Sequence, residues 1–219
     1  MSFLYIKILV VFYIGFKAGN IVHKSLLVKL ISAFSLIFLF YEFSFSLQFL
    51  MFSIFAFSLI SASVIDYFHR IIPVIIPPFL FGTGLIFSFF NPILGESYFF
   101  RFLNAIFGII AGGGVLFLIG IIGQFFYKKE VMGGGDIKLM VGVGAFIGAE
   151  KVLLAIFIAA VLGSIHGLIF ILFNKRNIRE TYIPFGPFLS LASFVIIFIP
   201  RPVQLFTEFF TWETKILGV

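Results

Sequence analysis

The sequence predicts an all-helical bundle embedded in a membrane. Of its 219 residues, 62% are hydrophobic and only 11% are charged, whereas an ordinary soluble domain carries about 25% charged residues. The apolar residues form long runs between short polar breaks, and a run of about 20 apolar residues is long enough to cross a bilayer. We therefore expect one integral membrane domain over residues 1–219, with about eight membrane-spanning helices.

The apolar runs give the order of the helices along the chain. Each predicted helix lies between two polar breaks, and the boundaries are approximately 2–18, 25–41, 46–65, 72–90, 102–127, 137–149, 151–173 and 184–200. Only Glu150 and Lys151 separate the sixth helix from the seventh. Because the sixth helix is short, we expect it to be tilted, or broken at Gly142, Gly144 or Gly148.

Composition excludes several classes of protein. The formal net charge is +6, but the basic residues are spread through short loops and form no aromatic-interleaved patch, so nucleic acid is not an expected partner. The chain has no cysteine, which removes disulfides, thiol nucleophiles and cysteine metal sites from consideration. No basic residue precedes Lys7 and no small-residue cleavage site follows, so the first apolar run is expected to be a membrane helix and not a removable signal.

Lysine and arginine predict the orientation, because loops on the cytoplasmic side are enriched in them. Ten of the 15 lie on one side of the predicted bundle: Lys17, Lys24, Lys29, Arg70, Lys128, Lys129, Lys138, Lys175, Arg176 and Arg179. The other side has Lys7, Arg101, Lys151, Arg201 and Lys215. The first side is therefore predicted to be cytoplasmic, with both termini outside.

The chain has only two aspartates, Asp66 and Asp136, and both lie where an apolar run meets a polar loop at the predicted cytoplasmic boundary. Carboxylates next to lipid are costly and usually functional, so two at one depth suggest a paired site. Taken singly, Asp136 could cap the helix that it begins and Asp66 could be a loop residue near Arg70. Pro73 predicts a turn after Asp66.

Two neighbouring carboxylates share a proton near neutral pH, which supplies an acid and a base in one place. The ionised group can take a proton from water while the neutral group polarises a peptide carbonyl, so amide hydrolysis needs neither metal nor cofactor. The alternative is a proton-coupled transporter with Asp66 and Asp136 as proton carriers. Transporters commonly have inverted repeats and acids near the midplane, and neither is evident here. A nonenzymatic assembly subunit has no positive feature in its favour.

Three motifs appear in order along the chain. The first is Asp66 followed by Ile72-Pro73. The second is a glycine run, Gly133-Gly134-Gly135, which leads into Asp136-Ile137-Lys138-Leu139 and allows unusual backbone conformations. The third is Ile183-Pro184-Phe185-Gly186-Pro187-Phe188. With these motifs the sequence resembles the type IV prepilin peptidases, which are membrane aspartic proteases of the GxGD type.

The resemblance implies removal of a short basic leader from pilin, pseudopilin or archaellin precursors, with Asp66 and Asp136 as the catalytic pair. It implies that the remaining motif residues line the cleft: Gly133, Gly134, Gly135, Lys138, Pro73, Pro184, Phe185, Gly186 and Pro187. Residues 15–23 are similar to the family's first cytoplasmic segment. The larger domain with paired cysteines that should follow is missing, so we expect no methyltransferase activity.

Two side chains and one basic run have simpler interpretations. Lys138 lies two positions after Asp136, so on a helix it points elsewhere and is expected to anchor at the interface. His166 is expected to be buried against a neighbouring helix and not to relay protons. The run of residues 174–179, which contains Lys175 and two arginines, is expected to contact anionic lipid headgroups.

Overall fold

Helices form most of the chain in the computed structural model, which describes residues 2–128, 131–174 and 184–199. In these ranges there are seven α-helices, joined by short loops and 3-10 turns at Pro92–Leu94 and Ile196–Phe198. The α-helices are α1 Ser2–Val22, α2 Leu26–Phe43, α3 Leu47–His69, α4 Ile76–Ser88, α5 Tyr98–Tyr127, α6 Gly134–Asn174 and α7 Gly186–Val195. The prediction of an all-helical bundle is confirmed.

Within the described residues, four helical stretches are long and apolar enough to cross a membrane: Leu26–Phe43, Leu47–His69, Tyr98–Tyr127 and Gly134–Phe170. Ile76–Ser88 and Gly186–Phe198 are shorter apolar helices. The chain is therefore an integral membrane protein, and the count of about eight spanning helices stays a prediction.

The connection between α3 and α4 differs from its prediction at both ends. Helix α3 continues to His69 and ends at Arg70, whose φ of 58° is left-handed, so the predicted end at residue 65 is wrong. The carboxylate-bearing Asp66 lies in the last turn of a helix and not in a loop. Helix α4 begins at Ile76 and not at 72, because Pro73 keeps the residue before it out of the helical region.

Helix α6 is interrupted at Gly148, as the glycines of the sixth predicted helix suggested. Its φ of 78° and ψ of 175° fall in a region that is essentially restricted to glycine. Residues 134–147 form a first arm and residues 149–174 a second arm. Gly112 of α5 packs against Met140 of the first arm and against Val152 of the second, so the chain turns back on itself at Gly148.

Polar side chains compensate for the backbone hydrogen bonds that this break removes. The buried Asn91 donates through Nδ2 to the Phe146 carbonyl at 2.6 Å. Asn104 accepts from the Ala149 N–H at 3.2 Å and donates to the Leu94 carbonyl at 2.9 Å. These bonds matter because an unsatisfied backbone group is costly away from water.

Lys151 is a buried residue of the second arm, 7% exposed, and not the loop residue that we predicted. Its Nζ donates to the carbonyls of Ile196 at 3.3 Å, Ile197 at 3.4 Å and Ile199 at 2.6 Å. These carbonyls lie at the end of the α7 segment, where helix dipoles place partial negative charge. The prediction was wrong because the sequence does not show which helix end lies opposite this lysine.

The helices of the bundle approach one another closely at glycines. Gly108 of α5 lies against the backbone of Gly144, and neither position has room for a Cβ atom. Gly112, four residues further along α5, lies against Met140, four residues earlier in α6, so α5 runs antiparallel to the first arm of α6. Small residues allow such packing where lipid gives little hydrophobic driving force between helices.

His166 is exposed on the second arm of α6, so the expectation that it is buried is wrong. Its ring lies 5.4 Å from that of Phe188, between ring centres. Part of the predicted orientation lies outside the described residues. This part comprises the external C-terminus and the sides assigned to Lys129, Lys175, Arg176, Arg179, Arg201 and Lys215.

Candidate active site

Asp66 is held by the beginning of another helix. Its side chain is 4% exposed, and Oδ2 accepts a hydrogen bond from the Gly186 N–H at 2.9 Å. Gly186 is the first residue of α7. The first N–H groups of a helix have no partner within it and carry partial positive charge, so this carboxylate caps α7 from α3.

Only glycine leaves enough room at position 186 for this contact. A Cβ atom at this position would lie 2.6 Å from Asp66 Oδ2 and 3.0 Å from its Cγ. Pro187 follows in the first turn of α7, where the missing proline N–H costs nothing. The sequence predicted that Gly186 and Pro187 line the cleft, and the structure gives Gly186 a direct contact with a carboxylate.

Asp136 is 6% exposed and lies in the first turn of α6. Helix α6 begins at Gly134, so the interpretation of Asp136 as the cap that begins the helix is wrong. Its Oδ1 is buried and has no hydrogen-bond partner among the residues that the structure describes. A buried carboxylate oxygen without a partner is costly, which identifies this atom as a candidate reactive group.

The glycine run before Asp136 provides room and not unusual backbone angles. Among the described residues the only glycines with positive φ are Gly95 and Gly148, so that part of the sequence interpretation is wrong. A Cβ at Gly133 would lie 2.8 Å from Asp136 Oδ2.

The other two glycines of the run differ from each other. Gly134 faces open space, whereas a Cβ at Gly135 would lie 3.1 Å from the Cβ of Ile72. Ile72 belongs to the first motif, so Gly135 lets the α3–α4 connection pack against the start of α6.

These contacts bring the three motifs to one end of the bundle. Asp66 contacts Gly186, Ile72 packs on Gly135, and the Asp66 carboxylate interacts electrostatically with Asp136. Two acids far apart in the sequence are thus placed together by α3, α6 and α7. Within the described ranges, no group of three His, Asp or Glu side chains is arranged to hold a metal ion.

The remaining motif residues have contacts of their own. Lys138 is exposed and lines a surface hollow with Val74 and Pro77. Pro73 accepts a hydrogen bond from the Ile76 N–H at 3.1 Å within the α3–α4 connection. Pro184 and Phe185 lead into α7, where the Phe185 ring lies 3.4 Å from the place of a Cβ at Gly163.

Sequence reasoning missed two features near Asp66. The ring of His23, just after α1, stacks on that of Phe68 at 4.9 Å between centres, which joins α1 to the end of α3. A cavity of about 300 Å³ lies between α2, α3 and α7. Of its lining residues only Pro187 belongs to a motif, because the lining comes from three separate helices.

Comparison with known proteins shows the family of this chain. The sequence profile of the Type IV leader peptidase family matches residues 53–168, which include both aspartates and more than half of the chain. The chain belongs to the Type IV leader peptidase family. No solved structure matches it.

Three curated relatives that share one name are longer than this chain. The prepilin leader peptidase/N-methyltransferase of Xanthomonas campestris is 33% identical over 140 residues, which cover 64% of this chain and 46% of the relative. The protein of the same name from Legionella pneumophila is 29% identical over 161 residues, covering 72% and 53%. That of Pseudomonas aeruginosa is 33% identical over 138 residues, covering 63% and 45%. The chain spans about half the length of these relatives.

Proposed function

We propose that this protein is a membrane aspartic endopeptidase that removes the short basic leader from pilin-like precursors. The observation that supports this most directly is the buried pair of Asp66 and Asp136, in which Asp136 Oδ1 has no partner among the described residues. Family membership supports leader peptidase activity, and the relatives' names suggest prepilins as the substrate class.

In the proposed reaction the two carboxylates share one proton. The ionised carboxylate takes a proton from water while the protonated one donates a hydrogen bond to the scissile carbonyl. The water oxygen forms a bond to the carbonyl carbon, which gives a tetrahedral intermediate. The C–N bond then breaks as the leaving nitrogen takes a proton from the pair, so protons and electrons balance without a metal.

The two aspartates differ in their hydrogen bonding, and this difference suits the proposed reaction. The Gly186 N–H fixes one oxygen of Asp66, so the orientation of this carboxylate is set before substrate binds. Asp136 Oδ1 has no hydrogen-bond partner among the described residues, so no such bond has to break before this oxygen takes a proton from water or gives one to the carbonyl.

We propose that the pair lies at the cytoplasmic boundary, with both termini outside. Arg70 and Lys128 end the helices at the aspartate end of the bundle, whereas Lys151 lies at the other end. A basic leader would then remain on the cytoplasmic side while the apolar part of the precursor stays in the membrane. The run of residues 174–179, of which only Asn174 lies within the described residues, would contact anionic headgroups.

We also propose that this chain cleaves precursors without methylating them. The relatives whose name includes N-methyltransferase are about twice as long as the matched part. In this chain only residues 23–25 connect α1 to α2, and cysteine is absent. Incubation with processed pilin and a labelled methyl donor tests this, and incorporation of label would contradict it.

Cleavage in proteoliposomes tests the peptidase. A precursor with a basic leader and an apolar segment should be cut by the wild-type protein. Asp66→Asn and Asp136→Asn should each be about 10³-fold slower, a loss in the range expected for general acid–base groups. Glu42→Gln, an exposed acid at the end of α2, is the control and should cleave normally. Cleavage by either Asn variant at the wild-type rate would refute the assignment, and EDTA should leave the rate unchanged.

A further inference from the structure

His23 lies far from Asp66 in the sequence, but its ring contacts the turn of α3 that carries Asp66. The ring is nearly parallel to that of Phe68, with 16° between the planes and 4.9 Å between the centres. Phe68 follows Asp66 by two positions, which is about 200° around a helix of 3.6 residues per turn. The two side chains therefore point to opposite sides of α3, where Asp66 meets Gly186 and Phe68 meets His23.

The end of α3 depends on contacts from outside the helix, because the terminal turns of helices open more easily than their interiors. The hydrogen bond that ends α3 runs from the Arg70 N–H to the carbonyl of Asp66 itself, at 2.8 Å. If this turn unwinds, the backbone of Asp66 loses that bond and is no longer fixed. A contact that holds Phe68 in place therefore also holds the backbone of Asp66.

His23 is itself attached to a closely packed pair of helices. Its backbone N–H donates to the Gly19 carbonyl at 3.0 Å, which continues α1, and its Nδ1 accepts from the Ser25 N–H at 3.1 Å. Ser25 is the N-cap residue of α2. The backbones of α1 and α2 are in contact, since a Cβ at Gly19 would lie 2.7 Å from the Cα of Lys29. Both helices therefore fix the ring of His23 where it meets α3.

We infer that His23 is a positioning residue for the reaction: by stacking on Phe68 it keeps the last turn of α3 wound, and so sets the place of the Asp66 carboxylate. This inference rests on the proposed peptidase function. The contact is made by the face of the ring, and Nδ1 already accepts from Ser25, so the effect depends on the stack and not on a ring nitrogen. His69 is closer to Asp66 in the sequence, but it is exposed and its ring has no hydrogen-bond or ring partner among the described residues.

The kinetics of leader cleavage test this role. His23→Ala removes the stack, His23→Phe keeps an aromatic ring without nitrogens, and His69→Ala is the matched control at an exposed histidine. A misplacement of 1 Å can cost about 10²-fold in rate, so a shift of a few tenths of an ångström should lower kcat of His23→Ala roughly fivefold per folded molecule. KM should stay within about twofold, as when only transition-state stabilisation is lost. His23→Phe and His69→Ala should keep kcat within about twofold of wild type, because neither loses an aromatic stack.

These outcomes separate positioning from support of the fold. A residue that only stabilises the protein would reduce the amount of folded His23→Ala and leave kcat per folded molecule unchanged, and that result would overturn the proposal. Equal losses in His23→Phe and His23→Ala would also overturn it, because a ring nitrogen would then be required. Phe68→Ala should match His23→Ala, and the double variant should be no slower than either, since both changes remove one contact. Losses that multiply in the double variant would contradict the stack.

Amide hydrogen exchange gives a second measurement, which needs no precursor. In His23→Ala the Arg70 amide, which donates to the Asp66 carbonyl, should exchange roughly fivefold faster, because the loss of an aromatic pair favours opening of the last turn. His23→Phe and His69→Ala should leave this rate unchanged, and an unchanged rate in His23→Ala would overturn the proposal.

The wild-type protein separates the positioning role from the peptidase itself. A wild-type protein that cleaves no precursor would refute the peptidase and the positioning role together. Wild-type cleavage with a normal kcat in His23→Ala would refute the positioning role alone.

Discussion

Buried polar groups at the two ends of the bundle differ in whether they have hydrogen-bond partners. At the end near Gly148, Asn91, Asn104 and Lys151 all have hydrogen-bond partners, and most of these are carbonyls at helix ends or breaks. At the end with the aspartates, Asp66 has one partner, and Asp136 Oδ1 has none among the described residues.

This difference indicates that the polar groups near Gly148 stabilise the fold and that those at the aspartate end take part in the reaction. A satisfied polar network in a low-dielectric interior strengthens the fold, whereas an unsatisfied buried group weakens it. Reactive sites often retain such groups at the expense of stability. Substitutions at the Gly148 end should therefore lower stability and leave the cleavage rate unchanged. Substitutions at the aspartate end should lower the cleavage rate without lowering stability.

The largest expected effect is on the rate of cleavage. Gly186→Ala places a methyl group where Asp66 Oδ2 now lies, so the carboxylate must move by a few tenths of an ångström or more. Such displacements cost up to about 10²-fold in rate when reacting groups are preorganised. We expect a loss of roughly 30- to 100-fold in kcat/KM, measured on folded enzyme in the leader-cleavage assay.

The matched control for this change is Gly134→Ala, which lies in the first turn of α6 and meets open space. It should cleave within about twofold of wild type, since an added Cβ there displaces nothing. Wild-type activity in Gly186→Ala would show that the contact with Asp66 is not part of the reactive geometry.

A smaller effect, on stability, is expected at the other end. Lys151→Met removes three hydrogen bonds to the carbonyls that end the α7 segment while it keeps most of the side-chain volume. A hydrogen bond with a charged donor contributes about 1.5–3 kcal/mol, so we expect the free energy of unfolding to fall by about 2 kcal/mol. Unfolding in detergent measures this, with the exposed Lys138→Met as the neutral control. An unchanged stability would mean that the Lys151 bonds contribute no net energy.

The smallest effect should have the opposite sign. Asp136→Asn replaces a buried carboxylate that lacks a partner at Oδ1 by a neutral amide. Because a buried charge is more costly than a buried amide, we expect the free energy of unfolding to rise by about 0.5–1 kcal/mol, although cleavage is lost. Thermal unfolding of the variant beside the exposed Glu42→Gln measures this. A clear loss of stability would mean that Asp136, like Lys151, stabilises the fold.

The sequence predicted the all-helical membrane fold and marked two acids at helix ends, because both features follow from local composition. Apolar runs give membrane helices, and aspartates collect at their ends since the hydrocarbon excludes them. The glycine break in α6 was also foreseeable, with Gly148 among three candidates. The end of α3 was missed because helix propensity continues past Asp66 to the left-handed Arg70.

Other errors concern residues whose role depends on a distant partner. In the sequence, Lys151 resembles a loop residue between two apolar runs. Its burial is explained only by its hydrogen bond to the Ile199 carbonyl, which forms when the helices pack. The glycines before Asp136 suggest unusual backbone angles, but their function is to leave space for Ile72 and for a carboxylate.

By itself, the sequence determined that this chain is a helical membrane protein with two acids at one boundary, because the transfer of apolar and charged side chains between water and lipid depends mainly on local composition. Tertiary structure alone decided that Gly186 holds Asp66, that Asp136 Oδ1 lacks a described partner, and that a cavity opens beside them. The physical reason is that hydrogen bonds and cavities depend on distances of a few ångströms between helices, and those distances are set only when the helices pack together.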